Sequence, residues 1–146
     1  MSLFDSLSVS ASGMSAQRMR AALLVENIAN SETTRTPEGG PYRRKDAVFT
    51  TDQIASPFGS ELDAQLGGAG STGVRVADIT VDNSAPERRY MPGHPDADAN
   101  GYVAMPKVNP AEDMVDLMSA NRSYQANVSA MSAVKDMIQK SIDLLR

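Results

Sequence analysis

The sequence contains no cysteine, no tryptophan and a single histidine, His94. The absence of cysteine excludes disulfide bonds, thiolate zinc sites and cysteine nucleophiles. Aromatic residues make up only 5% of the 146 residues, and leucine, isoleucine, valine and phenylalanine are also sparse. Alanine and methionine, with nine methionines, supply much of the remaining apolar content. We therefore do not expect the chain to build a thick hydrophobic core of its own.

Charge and the lack of long apolar runs exclude further classes of protein. The net charge of −4 argues against a general surface for nucleic acid or anionic membrane, which needs a basic excess. The apolar run Ala21–Val25 is far shorter than the roughly 20 residues of a membrane span. No lysine or arginine precedes Arg18, so we expect no cleaved signal peptide. The sequence predicts no nucleic-acid partner and no direct membrane span.

The N-terminal segment, residues 1–30, has the pattern of one amphipathic helix. It contains no proline, and its apolar residues recur every seven positions. Gly13 should weaken such a helix by about 1 kcal/mol relative to alanine, so we expect this segment to depend on partners. The apolar stripe that we predict to be an assembly interface consists of Leu7, Met14, Ala21, Leu24, Val25 and Ile28.

The C-terminal segment, residues 109–146, gives the stronger helix prediction. Asn109 is a suitable N-cap, Pro110 occupies the first helical position, and neither proline nor glycine follows. A sustained seven-residue repeat predicts a left-handed coiled coil with another helix. The residues of this predicted assembly interface are Met114, Leu117, Tyr124, Val128, Met131, Ile138, Ile142 and Leu145.

The central segment, residues 31–108, has turn chemistry and short extended stretches. We expect strands at Tyr42–Thr51, Gly73–Asp82 and Tyr102–Val108, with a β-bulge near Ala77–Asp78 where the alternation changes phase. Residues 52–73 read as a flexible linker. The predicted fold is mainly α with a small β-containing centre of short irregular strands. Its terminal helical domain, residues 1–30 plus 109–146, pairs as a coiled-coil-like layer.

Sequence motifs for chemistry are weak. The glycines of Gly68–Gly73 match the sequence pattern of a dinucleotide-binding loop. That loop needs a strand before it and a helix after it, whereas this segment follows a polar loop and precedes a predicted strand. Asp96–Gly101 matches half of a calcium-binding loop, yet Lys107 occupies the position that needs a bidentate glutamate, which favours an Asx-rich turn. His94 lies in a proline-rich turn without a second histidine. We therefore predict no enzyme, no cofactor and no catalytic or metal-binding residue.

Two features leave alternatives open. The basic clusters Arg43–Lys45 and Arg88–Arg89 are either solvated strand ends or pair with acidic neighbours. The apolar stripes of the two helices either form the core of a monomeric helical hairpin or are buried mostly in contacts between chains. We favour the second, because two helices joined along one stripe leave much alanine and methionine surface uncovered.

Recognisable motifs lie at Ser12–Gln17, Glu26–Asn30, Ser31–Lys45, Gly93–Pro106 and Met118–Asn127. Through these motifs the chain resembles the rod and hook proteins of the bacterial flagellum, and the proximal rod members in particular. Only residues 52–72 lack a recognisable pattern. The residues that match the family motifs are Asn27, Ile28, Ala29, Asn30, Arg122, Tyr124, Gln125, Ala126 and Asn127.

The resemblance implies a structural subunit that polymerises with other copies of itself and with other rod proteins. It implies a hollow shaft that crosses the periplasm, transmits motor torque and lets export substrates pass. It further implies export by the flagellar type III system, contacts with base components of the motor and of the export apparatus, and terminal helices facing the channel. The alternative from the residues alone is a soluble cytoplasmic coiled-coil adaptor that binds a helical partner.

Overall fold

A computed structural model describes residues 3–53 and 72–144 of the chain. In this part, the chain begins and ends with a long helix, and the four strands between the helices pair as two antiparallel two-stranded sheets. The mainly α architecture with short strands between the helices confirms the predicted fold class, while coiled-coil geometry stays a prediction. The elements are α1 (Leu3–Ala29), β1 (Lys45–Gln53), β2 (Thr72–Val81), β3 (Glu87–Tyr90), β4 (Tyr102–Met105) and α2 (Pro110–Leu144).

Helices α1 and α2 pack against each other in antiparallel directions. Arg20 forms a 3.4 Å ion pair with Asp116, whereas Gly13, earlier in α1, faces Asn127, later in α2. A Cβ at position 13 would lie 2.8 Å from Nδ2 of Asn127, which is closer than side chains approach. Gly13 therefore costs α1 some helix stability but lets the two helices approach at this point.

The side of α2 that is buried within the chain carries small and polar residues. Asp113, Ala120 and Val134 are buried, and Asn127 is half-buried, so a seven-residue repeat lines this side. One line of the predicted assembly interface lies one residue later, on Met114, Val128 and Ile142, which are exposed. In the other line, Leu117, Met131 and Ile138 are half-buried. Their role in assembly stays a prediction.

Strands β1 and β2 form a ribbon that packs on α1. Val48 pairs with Asp78 and Phe49 with Val76, which leaves Ala77 as the extra residue of the predicted bulge. The backbone N–H of Val74 donates to Ser12 Oγ of α1 at 3.1 Å. The strands extend into the predicted linker at both of its ends, through residues 52–53 and 72–73. The rest of that linker lies outside the described residues.

Strands β3 and β4 form a second antiparallel pair, here called the β3–β4 hairpin. Strand β4 ends at Met105, before the predicted Val108, because Pro106 has no N–H to donate. Strand β3 was not predicted. In the turn that joins the strands, Nδ1 of His94 accepts the Asp96 N–H at 3.1 Å, so this histidine stabilises the turn.

Few large apolar side chains are buried in the described part of the chain. Neither helix there carries the sustained apolar stretch that crossing a bilayer requires. The buried hydrophobic residues are Ala16, Leu23, Leu24, Tyr42, Val103, Met105, Ala120 and Val134.

Candidate assembly surface

Asn27 fastens the end of α1 to the start of β1. Its side chain is fully buried. Nδ2 donates to the carbonyl oxygen of Lys45 at 2.9 Å, and Oδ1 accepts the N–H of Lys45 at 3.0 Å. The hydroxyl of Tyr42 also donates to Oδ1, at 2.9 Å. The amide thus gives Lys45 the two hydrogen bonds that a neighbouring strand would supply, and it orients the ribbon on the helix.

Asn30 ends the same helix. Its Nδ2 donates to the carbonyl oxygen of Glu26 at 2.9 Å, and its Oδ1 accepts from the hydroxyl of Thr33 at 3.1 Å. Between the two asparagines, Ile28 is half-buried and Ala29 is exposed. The asparagines of this motif therefore serve the architecture: one joins helix to strand, and the other terminates the helix.

Arg44 connects the same region to the start of α2. One guanidinium nitrogen lies 3.1 Å from Asp113, whose side chain is fully buried, and Nε lies 3.2 Å from Asp46. Burial raises the pKa of the Asp113 carboxyl above its ordinary value even though the charge of Arg44 lowers it. Lys45 forms an ion pair with Glu26. Two residues of the first basic cluster, Arg44 and Lys45, thus pair with acidic neighbours, as one of the two alternatives predicted, whereas Arg43 donates to Asn83.

Tyr42 completes this region, which we call the joint: Asn27, Tyr42, Arg44, Lys45 and Asp113. Burial raises the pKa of the Tyr42 hydroxyl to about 12, and the negative charges of Glu26, Asp113 and Asp46 add to the effect. The hydroxyl therefore keeps its proton and continues to donate to Asn27 at physiological pH. The joint holds α1, β1 and α2 together through buried polar contacts rather than through a large apolar core.

The predicted interface residues of α1 lie mostly inward. Leu24 is buried and Val25 is exposed, whereas Leu7, Met14, Ala21 and Ile28 are half-buried. In α2, the half-buried members are Leu117, Met131 and Ile138, and Leu145 lies outside the described residues.

Large apolar side chains lie exposed along α2, and we call this surface the outer face of α2. Val115, Ala126 and Met137 are separated by eleven residues, which is three helical turns, and all three are exposed. At the start of the helix this line is opposite Asp113, since Val115 lies about 200° around the helix from it, whereas Met137 lies beside the buried Val134. Exposed apolar surface on this scale marks an interaction site. The exposed large apolar residues of α2 are Met114, Val115, Met118, Tyr124, Val128, Met137, Ile142 and Leu144.

Residues of the C-terminal motif belong mainly to this surface. Arg122, Gln125 and Ala126 are exposed, as is Tyr124, whereas Asn127 faces Gly13 of α1. Sequence reasoning missed Tyr42 and Asp113. An available signal was the charged Asp113 in a seven-residue line with Ala120, Asn127 and Val134.

The described residues contain no group of histidine, aspartate or glutamate side chains arranged to hold a metal ion. In the half-matched calcium loop, the Asp96 carboxylate accepts from the Thr34 hydroxyl at 2.8 Å and pairs with Arg35. This carboxylate therefore anchors a loop. Of the glycine-rich segment 68–73, only residues 72–73 are described, and they belong to β2.

Two long helices around a small core, with an apolar helix surface left uncovered, are the features of a subunit that assembles with other chains. The family model described as "Flagellar basal body rod FlgEFG protein C-terminal" matches residues 99–144. The chain is 44% identical to the flagellar basal-body rod protein FlgC of Bacillus subtilis over 150 residues, which cover 99% of each chain. FlgC of Borreliella burgdorferi is 40% identical over 152 residues, covering all of this chain and 99% of that protein. FlgC of Salmonella typhimurium is 40% identical over 145 residues, covering 99% of this chain and 98% of that protein.

The chain belongs to the FlgC family of flagellar basal-body rod proteins. It is a structural subunit of the basal-body rod and not an enzyme. Its place in the cell is the basal body of the flagellum, where it assembles with other rod components.

Proposed function

We propose that this chain is a subunit of the proximal rod and forms, with other copies of itself and with other rod proteins, a hollow shaft that crosses the periplasm. The shaft transmits motor torque, lets export substrates pass through its bore, and contacts base components of the motor and export apparatus. The observation that carries the proposal is the outer face of α2, which no part of the described chain covers.

The outer face of α2 fits helices of neighbouring subunits. Its large side chains, such as Val115 and Met137, alternate with small ones, such as Ala126 and Ala133, so another helix can approach closely between them. Each large apolar side chain that becomes buried contributes about 1.5–3 kcal/mol. Contacts that repeat without closing generate a helical tube, and twisting that tube requires many such contacts to shear together.

The composition also suits passage through a narrow export channel. The chain has no cysteine, and the described part buries few large side chains, so unfolding it for export costs little. We propose type III export, with residues 1–30 and 109–146 becoming fully ordered only on assembly. These terminal segments would form the inner, channel-facing domain, with residues 31–108 further out and residues 52–73 as a linker. Membership of the FlgC family disfavours the cytoplasmic adaptor alternative.

The test compares aspartate substitutions on one helix. Val115→Asp and Met137→Asp place a charge on exposed apolar positions, and Gln139→Asp places the same charge at an exposed polar position on another side of the helix. Each variant replaces the native protein in cells, and we measure swimming and the amount of the chain in isolated basal bodies. We expect the first two variants to be expressed but absent from basal bodies, and the control to assemble. Normal assembly of both apolar-site variants would contradict the proposal.

A further inference from the structure

We propose that Asn100 is a site of spontaneous deamidation, reactive while the chain is unfolded and protected once the β3–β4 hairpin has formed. The inference goes beyond the proposed function and does not depend on it, because it concerns the covalent chemistry of one turn.

The reactive pair is an asparagine followed by a glycine. Asn100 is the only asparagine of the chain that glycine follows. Asparagine is among the thermolabile residues. A following glycine hinders attack on its side chain least, because glycine has no Cβ. The side chain of Asn100 is also exposed, so water reaches it. The sequence therefore makes Asn100 the most reactive asparagine of this chain.

The reaction needs no reagent other than water. The backbone nitrogen of Gly101 loses its proton and attacks the side-chain carbonyl carbon of Asn100, which forms a cyclic succinimide. The bond from that carbon to Nδ2 breaks, and the amide nitrogen leaves as ammonia. Water then opens the ring at either carbonyl and gives aspartate or isoaspartate. Isoaspartate carries the main chain through the side-chain carbon and so lengthens the backbone by one methylene group.

The fold requires the glycine of this pair. Gly101 has a φ of +77°, a conformation that other residues rarely adopt. A Cβ at this position would lie 2.9 Å from Cε2 of Tyr90 and 3.3 Å from Cβ of Pro92. A larger residue would therefore strain the turn and press on the Tyr90 ring, which packs edge to face on Tyr102. The labile pair is a consequence of how the hairpin closes.

The same turn holds the attacking nitrogen. The N–H of Gly101 donates to the carbonyl oxygen of Asp98 at 2.8 Å, and the carbonyl oxygen of Gly101 accepts the N–H of Met91 at 2.9 Å. The N–H of Asp98 donates to the carbonyl oxygen of Tyr102 at 2.8 Å. Attack requires the Gly101 nitrogen to give up its proton and to turn toward the side chain of Asn100, so this turn must first open. Folding therefore slows the reaction to the extent that it depopulates the open turn.

Peptide mass spectrometry measures the reaction. The purified chain is incubated at mildly alkaline pH in buffer and in concentrated guanidinium chloride, and deamidation of Asn100 is compared with that of Asn83, which serine follows. We expect Asn100 to react at least about tenfold faster in the denaturant, equivalent to an opening free energy of about 1.4 kcal/mol. Asn83 should react more slowly than Asn100 there. Equal rates at Asn100 in the two conditions, or a faster reaction at Asn83 in the denaturant, would overturn the inference.

Met91→Pro tests the protection by the turn. It deletes the N–H that binds the Gly101 carbonyl oxygen and leaves the reactive pair unchanged. This variant should deamidate faster than the unsubstituted chain in buffer and at the same rate in guanidinium chloride. Met91→Leu is the matched control and should react at the unsubstituted rate in both conditions. A proline variant that reacts no faster in buffer would contradict the protection.

The isoaspartate product should weaken the hairpin. Its additional methylene group lies inside the turn, so the hydrogen bonds of Gly101 and Asp98 cannot all form again. The chain is aged in guanidinium chloride, refolded and digested briefly with trypsin. We expect cleavage after Arg88 and Arg89 to be faster than in Asn100→Asp, which carries the same charge on a normal backbone. Equal cleavage of the two chains would show that the turn accepts the longer backbone and would contradict its role in holding Gly101.

Discussion

Replacing Asn27 by alanine should destabilise the isolated chain more than any exposed substitution of the same size. The buried amide makes three hydrogen bonds, two with the backbone of Lys45 and one with Tyr42. Each bond contributes about 1 kcal/mol, and its loss leaves backbone groups of Lys45 without a partner. We expect the free energy of unfolding to fall by about 3 kcal/mol, a large fraction of the 5–15 kcal/mol of a typical domain.

Urea denaturation of the purified chain, followed by helical circular dichroism, measures this loss. With a typical urea dependence of about 2 kcal/mol per molar, the midpoint should move down by about 1.5 M. Asn121→Ala is the matched control, because Asn121 is exposed on α2. That change should leave stability equal or slightly higher, since alanine favours helix more than asparagine does.

The outcome separates a structural joint from a purely intermolecular role of the family motif. Should the alanine variant of Asn27 unfold at the same midpoint as the unsubstituted chain, the buried hydrogen bonds would carry no net stability, and the joint as described would be wrong. A lower midpoint for both asparagine variants would instead point to a general loss of helix stability.

Three further changes probe the joint and the helix contact. Tyr42→Phe should reduce the loss of stability at alkaline pH. The pKa of the Tyr42 hydroxyl is about 12 in the folded chain and about 10 in the unfolded chain, so the unfolded chain loses this proton first as the pH rises. The free energy of unfolding should therefore fall by up to about 3 kcal/mol between pH 10 and 12 in the unsubstituted chain, and this contribution should be absent in the phenylalanine variant. Melting curves of both chains across that range measure the difference, and parallel curves would refute it. Arg44→Met should cost about 3 kcal/mol at pH 7, because it leaves the Asp113 carboxylate buried and unpaired. This loss of stability should become smaller at lower pH, because the pKa of Asp113, already raised by burial, rises further without Arg44 and the carboxyl becomes neutral. Urea midpoints that are reduced equally at pH 7 and pH 5 would contradict this expectation. Gly13→Ala should gain about 1 kcal/mol of helix stability only in a chain that also carries Asn127→Ala, and a double-mutant cycle detects that coupling.

Local signals predicted the regular elements well. The side chain of Asn109 caps α2 by accepting the Ala111 N–H at 3.2 Å, and Pro110 begins the helix, as its fixed φ favours. The bulge at Ala77 followed from a change of alternation along one strand. Such features depend on residues that are close in sequence, which is why composition and spacing suffice to locate them.

Strand β3 escaped prediction for a physical reason. Its sequence Glu-Arg-Arg-Tyr has no apolar alternation because all four of its residues are exposed. It is a strand only because it pairs with β4, whose Val103 and Met105 are buried. Pairing between strands separated by a turn rich in proline and glycine is a tertiary property, and the pattern of one strand does not contain it.

The shift of the buried line on α2 has a comparable cause. A seven-residue pattern rewards large apolar residues, so it selected Met114 and Val128 as interface positions without specifying whether α1 or another subunit covers them. The helix instead turns Ala120 and Asn127 inward, because Gly13 and the buried Ala16 let α1 approach closely. Which of two adjacent lines faces the partner depends on the partner's own side chains. The sequence pattern therefore did not determine on which side of the helix each predicted interface residue lies.

This inverted arrangement explains how one chain can suit both export and assembly. A monomeric protein buries its large apolar residues and exposes small and polar ones, whereas α2 buries Ala120 and Asp113 and exposes Val115, Met118 and Met137. Much of the hydrophobic free energy available to this helix is therefore released only when other subunits cover it. The joint, held by Asn27 and Arg44, keeps α1, β1 and α2 in register without that energy. A subunit so built is weakly stabilised alone and strongly stabilised in a polymer, so the same residues that favour unfolding before export should favour assembly after it.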